Sequence, residues 1–369
     1  MTKSILKTSL IQQVKNQLKE EIITGAVKPG QRIESIRSIT QKYKVSHITA
    51  AKALKELSKE GWIDSKVGSG SFVSLTLPIN NIPKQNASTS SKDTIYYALM
   101  NQYDFDGYHS EILSYLQKLS EEYGLNFKLI PAEDTQALSK IATFPRTMGI
   151  ICRAEMPYFE AEMPVVYYGM SQTHINSNFV QPDNFEGGIV AGKTLLENGH
   201  KNICYVSNYK IEDGIPHENL EYMHFRQRYN GLCAIFEMYN YSTPQRVCWH
   251  VKDQDSRYNV SKLLEKVKNK DSQAPTALVI GNKKMASEIL MVAIGMGIDV
   301  PNDLSIVSFV DRGLDHDSHI STIDFSREKM AEQIFSTIFC ATKYKCAINH
   351  NKHLIPMFMS NQSTLNKLS

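Results

Sequence analysis

The 369-residue chain has no apolar run long enough to span a membrane, which excludes helical membrane insertion. Its first 25 residues carry Lys3, Lys7, Lys15 and Lys19 and lack the apolar core and small-residue cleavage site of a signal peptide. Cysteine is sparse: six residues, at 152, 204, 233, 248, 340 and 346, show neither paired zinc spacing nor a dense disulfide framework. They are expected to be small buried hydrophobes, and a reducing cytoplasm is the expected compartment. Excess charge of one sign is also missing. A net charge of +3 gives no general affinity for polyanions, so any nucleic-acid contact must be confined to a patch. No Gly-rich turn leads into Lys-Ser/Thr, and neither a serine elbow nor an HExxH pair occurs. Neither an enzyme nor a cofactor is expected.

What is present begins with "RIESIRSITQKYKVSHITAAKALKEL" at 32–57. Ile36 and Ile39 mark one apolar face, and Ala50, Ala53, Leu54 and Leu57 mark another at helical spacing. Ser35 and Ser46 stand where each pattern begins, each able to cap a first turn. Two helices joined by only "YKVS" must cross steeply, leaving the start of the second projecting. Its outward side chains are Ser46, His47, Thr49 and Lys52, all able to donate hydrogen bonds to base edges or phosphates. Before them, "SLIQQVKNQLKEEIITG" puts Ile11, Val14, Leu18 and Ile22 on one face. After them, two β-prone runs at 62–67 and 71–75 flank "GSG", the chemistry of a hairpin turn.

This order of helices and hairpin, with "ITGAVKPGQRI", "LSKEGWI" and "KVGSGSFV", resembles the winged-helix DNA-binding domain of the GntR family over residues 9 to 75. The resemblance implies that Arg37 touches phosphate or base, that residues 46 to 52 read the major groove, and that Gly68 and Gly70 shape the wing. The expected contact set is Ser35, Arg37, Ser46, His47, Thr49, Lys52, Lys66, Ser69 and Gly70. Glu34, His47 and Ala51 depart from the family, which commonly has Pro at the first and often Arg at the others. Taken singly, Arg37 also reads as a solvated surface cation, His47 as an ordinary polar group and "GSG" as a flexible turn.

Residues 78–93, rich in Pro, Asn and Ser, read as a linker between a 1–77 head and a 94–369 body. In the body, "TIYYAL", "NFKLI", "MGIIC", "PVVYY", "NICYVS", "RVCWHV", "TALVI" and "LSIVSF" alternate with helical stretches at 110–123, 185–198, 221–239, 256–269, 284–296 and 327–343. Such alternation predicts an α/β body with parallel sheets wound on both faces, and so many strands predict two sheets. The segments "VQPDNFEGGIVAGKTLLENGHKNICYVS" and "GIDVPNDLSIVSFVD" resemble the effector domain of the LacI/GalR repressors, itself similar to periplasmic sugar-binding proteins, over roughly 94–366. A GntR-type head on this body is the architecture of AraR-like repressors. The resemblance implies two Rossmann-like subdomains, about 94–180 with 312–343 and 181–311 with 344–369, joined by three crossings.

It also implies a ligand set. Arg228 falls where the family's Arg grips sugar hydroxyls, Asn282 at an amide position and Asp311 at the second of two Asp, the first having become Val310. Gly169 stands where some members bind ligand through Asp. From position alone, Tyr103, Phe105 and Tyr108 follow the first strand, where a parallel-sheet site lies, and they read either as a stacking wall or as loop aromatics filling the core. Arg153, just past "MGIIC", reads as a site cation or an exposed one. "DHDSH" at 315–319 reads better as a polar hinge than as a metal site, and no metal is expected. The expected function is a homodimeric regulator that binds duplex DNA and is released by a monosaccharide such as a pentose or deoxyhexose, with no membrane partner. The alternative is a corepressor-type regulator of a nucleobase or other metabolite.

Overall fold

The computed structural model describes residues 9–23, 26–27, 30–66, 70–74, 93–100, 107–132, 134–170, 177–207, 223–249, 254–309, 320–344, 351–354, 357–359 and 363. The head comprises α1 (Leu10–Ile23), α2 (Ile36–Tyr43), α3 (His47–Lys59) and a hairpin of β1 (Ile63–Lys66) and β2 (Gly70–Val73). Capping sets the α2 and α3 boundaries. Ser35 accepts from the Ser38 N–H at 3.1 Å and Ser46 from the Thr49 N–H at 3.1 Å, while Lys44 closes α2 in the left-handed region. The expected apolar faces form one core of Val14, Leu18, Ile22, Ile39, Val45, Ala50, Ala53, Leu54, Leu57, Trp62, Ile63 and Val73. Ile11 and Ile36 pack only at its margin.

Lysines tie the helices from outside. Lys15 donates to Glu56 at 2.9 Å and to Glu60 at 2.7 Å, Lys19 pairs with Glu60 at 2.6 Å, and Lys42 bridges Glu21 and Glu34 at 2.8 and 3.0 Å. Hydrogen bonds to Glu60 and Glu56 raise the Lys15 ammonium above its ordinary range. Burial alone would raise the Glu60 carboxyl, but hydrogen bonds from Lys15 and Lys19 outweigh it and hold the group below the usual range.

The body continues with β3 (Thr94–Leu99), α4 (Gly107–Glu122), β4 (Asn126–Pro131), α5 (Thr135–Ala142), β5 (Thr147–Arg153), β6 (Val165–Tyr168) and β7 (Asn178–Pro182). Then come α6 (Asn184–Glu197), β8 (Ile203–Ser207), α7 (Met223–Met238), β9 (Gln245–Cys248), α8 (Gln254–Lys268), β10 (Ala277–Ile280) and α9 (Lys283–Gly295). The chain closes with β11 (Ser305–Phe309), β12 (Ser321–Asp324), α10 (Arg327–Tyr344), β13 (Asn351–Leu354) and β14 (Met357–Met359). Two six-stranded sheets result, ordered β13-β7-β6-β5-β3-β4 and β14-β12-β11-β10-β8-β9. All their pairings are parallel except β12 with β14. Helices cover both faces of each sheet, α4 and α10 against α5 in the first lobe, α6 and α7 against α8 and α9 in the second. That burial explains continuously apolar strands such as "ICYVS" and "ALVI".

The lobe boundaries differ from those the resemblance implied. β12, expected with the first lobe, pairs with β11 in the second sheet, and β13, expected with the second, pairs with β7 in the first. The physical reason is that a strand belongs to the sheet supplying its hydrogen-bond partner, which local pattern does not encode. Crossings therefore fall between β7 and α6, β12 and α10, and β13 and β14. Cys340 and Ala341, near the end of α10, join the apolar core of the head.

Candidate nucleic-acid interface and ligand cleft

In the head, the serines that cap α2 and α3 also bond sideways: Ser35 Oγ lies 2.8 Å from Ser38 Oγ, and Ser46 Oγ lies 2.9 Å from Thr49 Oγ1. These contacts fix the first turn of α3, with exposed His47 and Lys52 around it. Among the described residues, the side chains of Arg32, Arg37, His47 and Lys52 are exposed and make no ion pair or hydrogen bond. The carboxylate-bound Lys15, Lys19 and Lys42 therefore tie the fold together, while these four groups stay available to an external polyanion. Gly70 lies in the hairpin at φ +102°, a region that favours glycine. The Lys66 side chain, Gly68 and Ser69 lie outside the described residues.

One residue the sequence reading passed over is Ile48. It is 67% exposed in the first turn of α3, between His47 and Thr49. Its signal was available: an isoleucine off the Ala50–Leu57 stripe has no core to enter. At the start of a projecting helix, its apolar surface suits a thymine methyl.

In the body, strand order reverses beside β3 in the first sheet and beside β8 in the second, and crevices open beyond the carboxyl ends at such points. Arg228, on α7, reaches the second of these while wholly buried. Its Nε donates to Asn184 Oδ1 at 2.9 Å and its Nη1 to the Gly281 carbonyl at 2.5 Å, and its guanidinium lies 4.4 Å from the Phe309 ring centroid. Phe225 and Phe325 stand farther out, at 5.8 and 5.9 Å. Gly188 makes this placement possible, because a Cβ there would collide with the Arg228 carbonyl oxygen; without one, α6 and α7 pack backbone to backbone.

The bonding continues across the lobes. Asn184 Nδ2 donates to the Met170 carbonyl at 2.7 Å, so Arg228 is linked through one amide to the end of the first sheet. A second tie lies at another crossing, where Arg327 of α10 pairs with Asp324 of β12 at 2.7 Å and with Glu111 of α4 at 3.4 Å. Asn282 caps α9, its Oδ1 accepting from the Met285 N–H at 2.8 Å. The cap uses the amide oxygen and not the NH₂ group.

Arg153 is buried at the end of β5 and grips Glu155 through Nε and Nη2 at 3.2 and 3.1 Å, so the exposed-cation reading of this residue is set aside. Tyr108 belongs to the core between α4 and α10, with the Arg327 guanidinium 5.8 Å from its ring centroid and the His109 ring edge-on at 5.2 Å. Beside it, Tyr168 OH lies 2.7 Å from Tyr97 OH and 2.8 Å from His109 Nδ1. Burial holds the Tyr168 phenol well above its ordinary range, so it stays neutral. Gly169 has no room for the Asp some repressors carry: a Cβ there would come 2.5 Å from the Ala154 Cβ. Tyr103, Phe105, Asp311 and the 315–319 cluster lie outside the described residues. Cys152, Cys204 and Cys340 are buried, and burial pushes the thiols of the first two up, Cys204 to about 12.

Residues 10–73 match the family model described as "Bacterial regulatory proteins, gntR family". Residues 193–364 match "Periplasmic binding protein-like domain". The chain thus pairs a head that matches the gntR model with a body whose residues 193–364 match the periplasmic-binding-protein-like model. It is 25% identical over 335 residues, 86% of this chain and 84% of the relative, to the arabinose metabolism transcriptional repressor of Halalkalibacterium halodurans. The namesake repressor of Geobacillus stearothermophilus is also 25% identical, over 81% of each chain. Among solved structures, a periplasmic binding protein/LacI transcriptional regulator from Alkaliphilus metalliredigens, complexed with D-xylulofuranose, superimposes with a TM-score of 0.52 at 16% identity. The match covers 74% of this chain and all of that one, and it shows the two-lobed fold.

Proposed function

We propose that the chain is a cytoplasmic, ligand-responsive transcriptional repressor of sugar-metabolism genes, a regulator rather than an enzyme, released from its operator by a monosaccharide of the pentose or deoxyhexose class. The observation that carries this reading is the pairing of two unlike sites on one chain: exposed cations without carboxylate partners around a capped α3, and a buried guanidinium held at the crevice of a two-lobed body. Support for the sugar class comes from the two arabinose repressors, similar over most of both chains. Arg228 is the polar grip, its planar donors suited to vicinal hydroxyls, and Asn282 and Arg153 are the other described polar groups of the proposed set.

Two copies present two α3 helices to successive major grooves of a pseudo-palindromic duplex. Tyr258 on α8 and Met291 and Ile294 on α9 are exposed apolar side chains that suit a surface shared by two copies. Among the described residues no helix is long and apolar enough to cross a membrane.

The test selects duplexes from a random pool with the intact chain, then titrates the selected duplex against arabinose and other monosaccharides. Release by one of them is the expected result, with Arg37→Ala weakening all duplexes and Thr49→Ala altering base preference. Tighter DNA binding with a nucleobase would instead establish the corepressor reading, and failure to select any duplex would overturn the repressor reading.

A further inference from the structure

The segment before α2 is part of the wing. Ile33 N–H donates to the Ser71 carbonyl at 2.8 Å, Val73 N–H to the Gln31 carbonyl at 2.9 Å, and Gly30 N–H to the Val73 carbonyl at 2.9 Å. An antiparallel bridge between Arg32 and Phe72 sits among them. Residues 30–33 thus extend the hairpin by a third edge, which fixes the backbone of Arg32. Its side chain crosses to Gly70, the first residue of β2. A Cβ placed on Gly70 would lie 2.9 Å from Arg32 Nε and 3.1 Å from Nη2, so the guanidinium occupies the space a larger residue would fill.

No described group satisfies that guanidinium. Arg32 is exposed and forms no ion pair or hydrogen bond with the described residues. The carboxylate in its register, Asp64, is paired to the far side of Phe72, one strand beyond. A long side chain held against backbone with its donors facing water is partly pre-ordered for an external planar acceptor, which lowers the entropy lost on binding.

Resting on the reading of the head as a duplex-binding module, we propose that Arg32 is a wing-side DNA contact, gripping a backbone phosphate where the hairpin lies along the duplex, and that Gly70, which its positive φ already favours, also leaves room for it. Arg32 then works separately from α3. It adds affinity and register without reading sequence, because phosphates are the same at every base pair.

The experiment uses the full chain and the duplex selected above, with affinity measured between 50 and 300 mM salt. Arg32→Ala is expected to weaken binding roughly tenfold, a loss equal for specific and scrambled duplexes, and to reduce the salt slope by about 0.9, the value for one released phosphate counterion. Arg32→Lys should retain that slope while losing part of the affinity, since the charge stays and the fork goes. Gly70→Ala carries backbone strain at φ +102° in either background, and beyond that shared loss it should weaken binding further only where Arg32 is present. Circular dichroism and melting of each variant check folding, and Arg32→Gln, which keeps the stem, replaces Arg32→Ala if the alanine unfolds the head. An unchanged slope, or additive losses from Arg32 and Gly70, overturns the assignment. Failure of the native chain to select any duplex overturns the repressor reading as well, whereas normal native binding with a silent Arg32 overturns this contact alone.

Discussion

Arg37 and Arg228 are the same side chain put to opposite uses. Arg37 stands in water on α2 without a described partner, whereas Arg228 is buried among Asn184, Gly281 and three phenyl rings. The contrast teaches what the two proposed roles would ask of each surface. A polyanion brings its own charge and releases counterions, so useful cations are those left solvated and uncommitted. A neutral polyol brings only hydroxyls, and a donor fork distinguishes it only when the fork is already aimed and dry.

The sharpest way to break this contrast is Arg228→Ala. It leaves Asn184 Oδ1 and the Gly281 carbonyl without their donor, at a cost of about 1–3 kcal/mol each. The body should melt earlier by calorimetry and lose its response to sugar, while the selected duplex binds as tightly as before at temperatures where the body stays folded. Arg228→Lys restores charge without the fork and should recover stability more than sugar binding. Next in size is Ser46→Ala, which removes the cap of α3. Head stability should fall by about 1 kcal/mol, and specific binding should suffer more than non-specific, because the reading turn frays.

Lys52→Ala should leave stability unchanged and lower the salt slope by about 0.9 if the ammonium meets phosphate. Ile48→Ala should weaken binding only to duplexes with thymine at one position, by about 1 kcal/mol, and swapping that thymine for uracil should have the same effect.

The smallest effect concerns pH. Glu60 is held below its ordinary range, so its contribution is present above the unfolded carboxyl value and fades as pH falls through the lower folded value. Lys15 is held above its ordinary range, so its share is intact below the unfolded ammonium value and fades as pH rises through the folded one. Head melting should therefore be flat near neutrality and decline at both extremes. Lys15→Met should flatten the acid limb, with Glu60 half-exposed and solvent damping the change.

The head was legible because its contacts are local. Capping serines and apolar stripes within 50 residues determine α2, α3 and their shared core. Of the eight body strands named from sequence, β3, β5, β6, β8, β10 and β11 were legible because each is buried on both faces and reads as an apolar run, whereas the edge strands β4 and β9 are partly exposed and showed only through β-prone residues. α5 escaped notice as an eight-residue helix, "TQALSKIA", with one and a half turns of stripe. β12, with three buried residues in four, is too short to stand out, and its sheet depends on a partner distant in sequence. Arg228 carries no local signal, since burying a guanidinium requires Asn184, 44 positions away, and the Gly188 approach that lets α7 close in. Arg32 carries no local signal either, because its partner strand lies some 40 residues later.

α10 has a mechanical consequence. It is anchored at its start by Arg327, which spans a lobe crossing through Asp324 and Glu111, and near its end Cys340 and Ala341 enter the core of the head. Eighteen residues of helix make a rod of about 27 Å. A tilt of about 10° about the anchored end would swing the far end by roughly 5 Å, more than the separation of neighbouring rungs along a duplex. Because α10 is buried against the first sheet through Met330, Ile334, Phe335 and Ile338, such a tilt would carry the first lobe with it, and the head seated at the far end would move as that lobe moves.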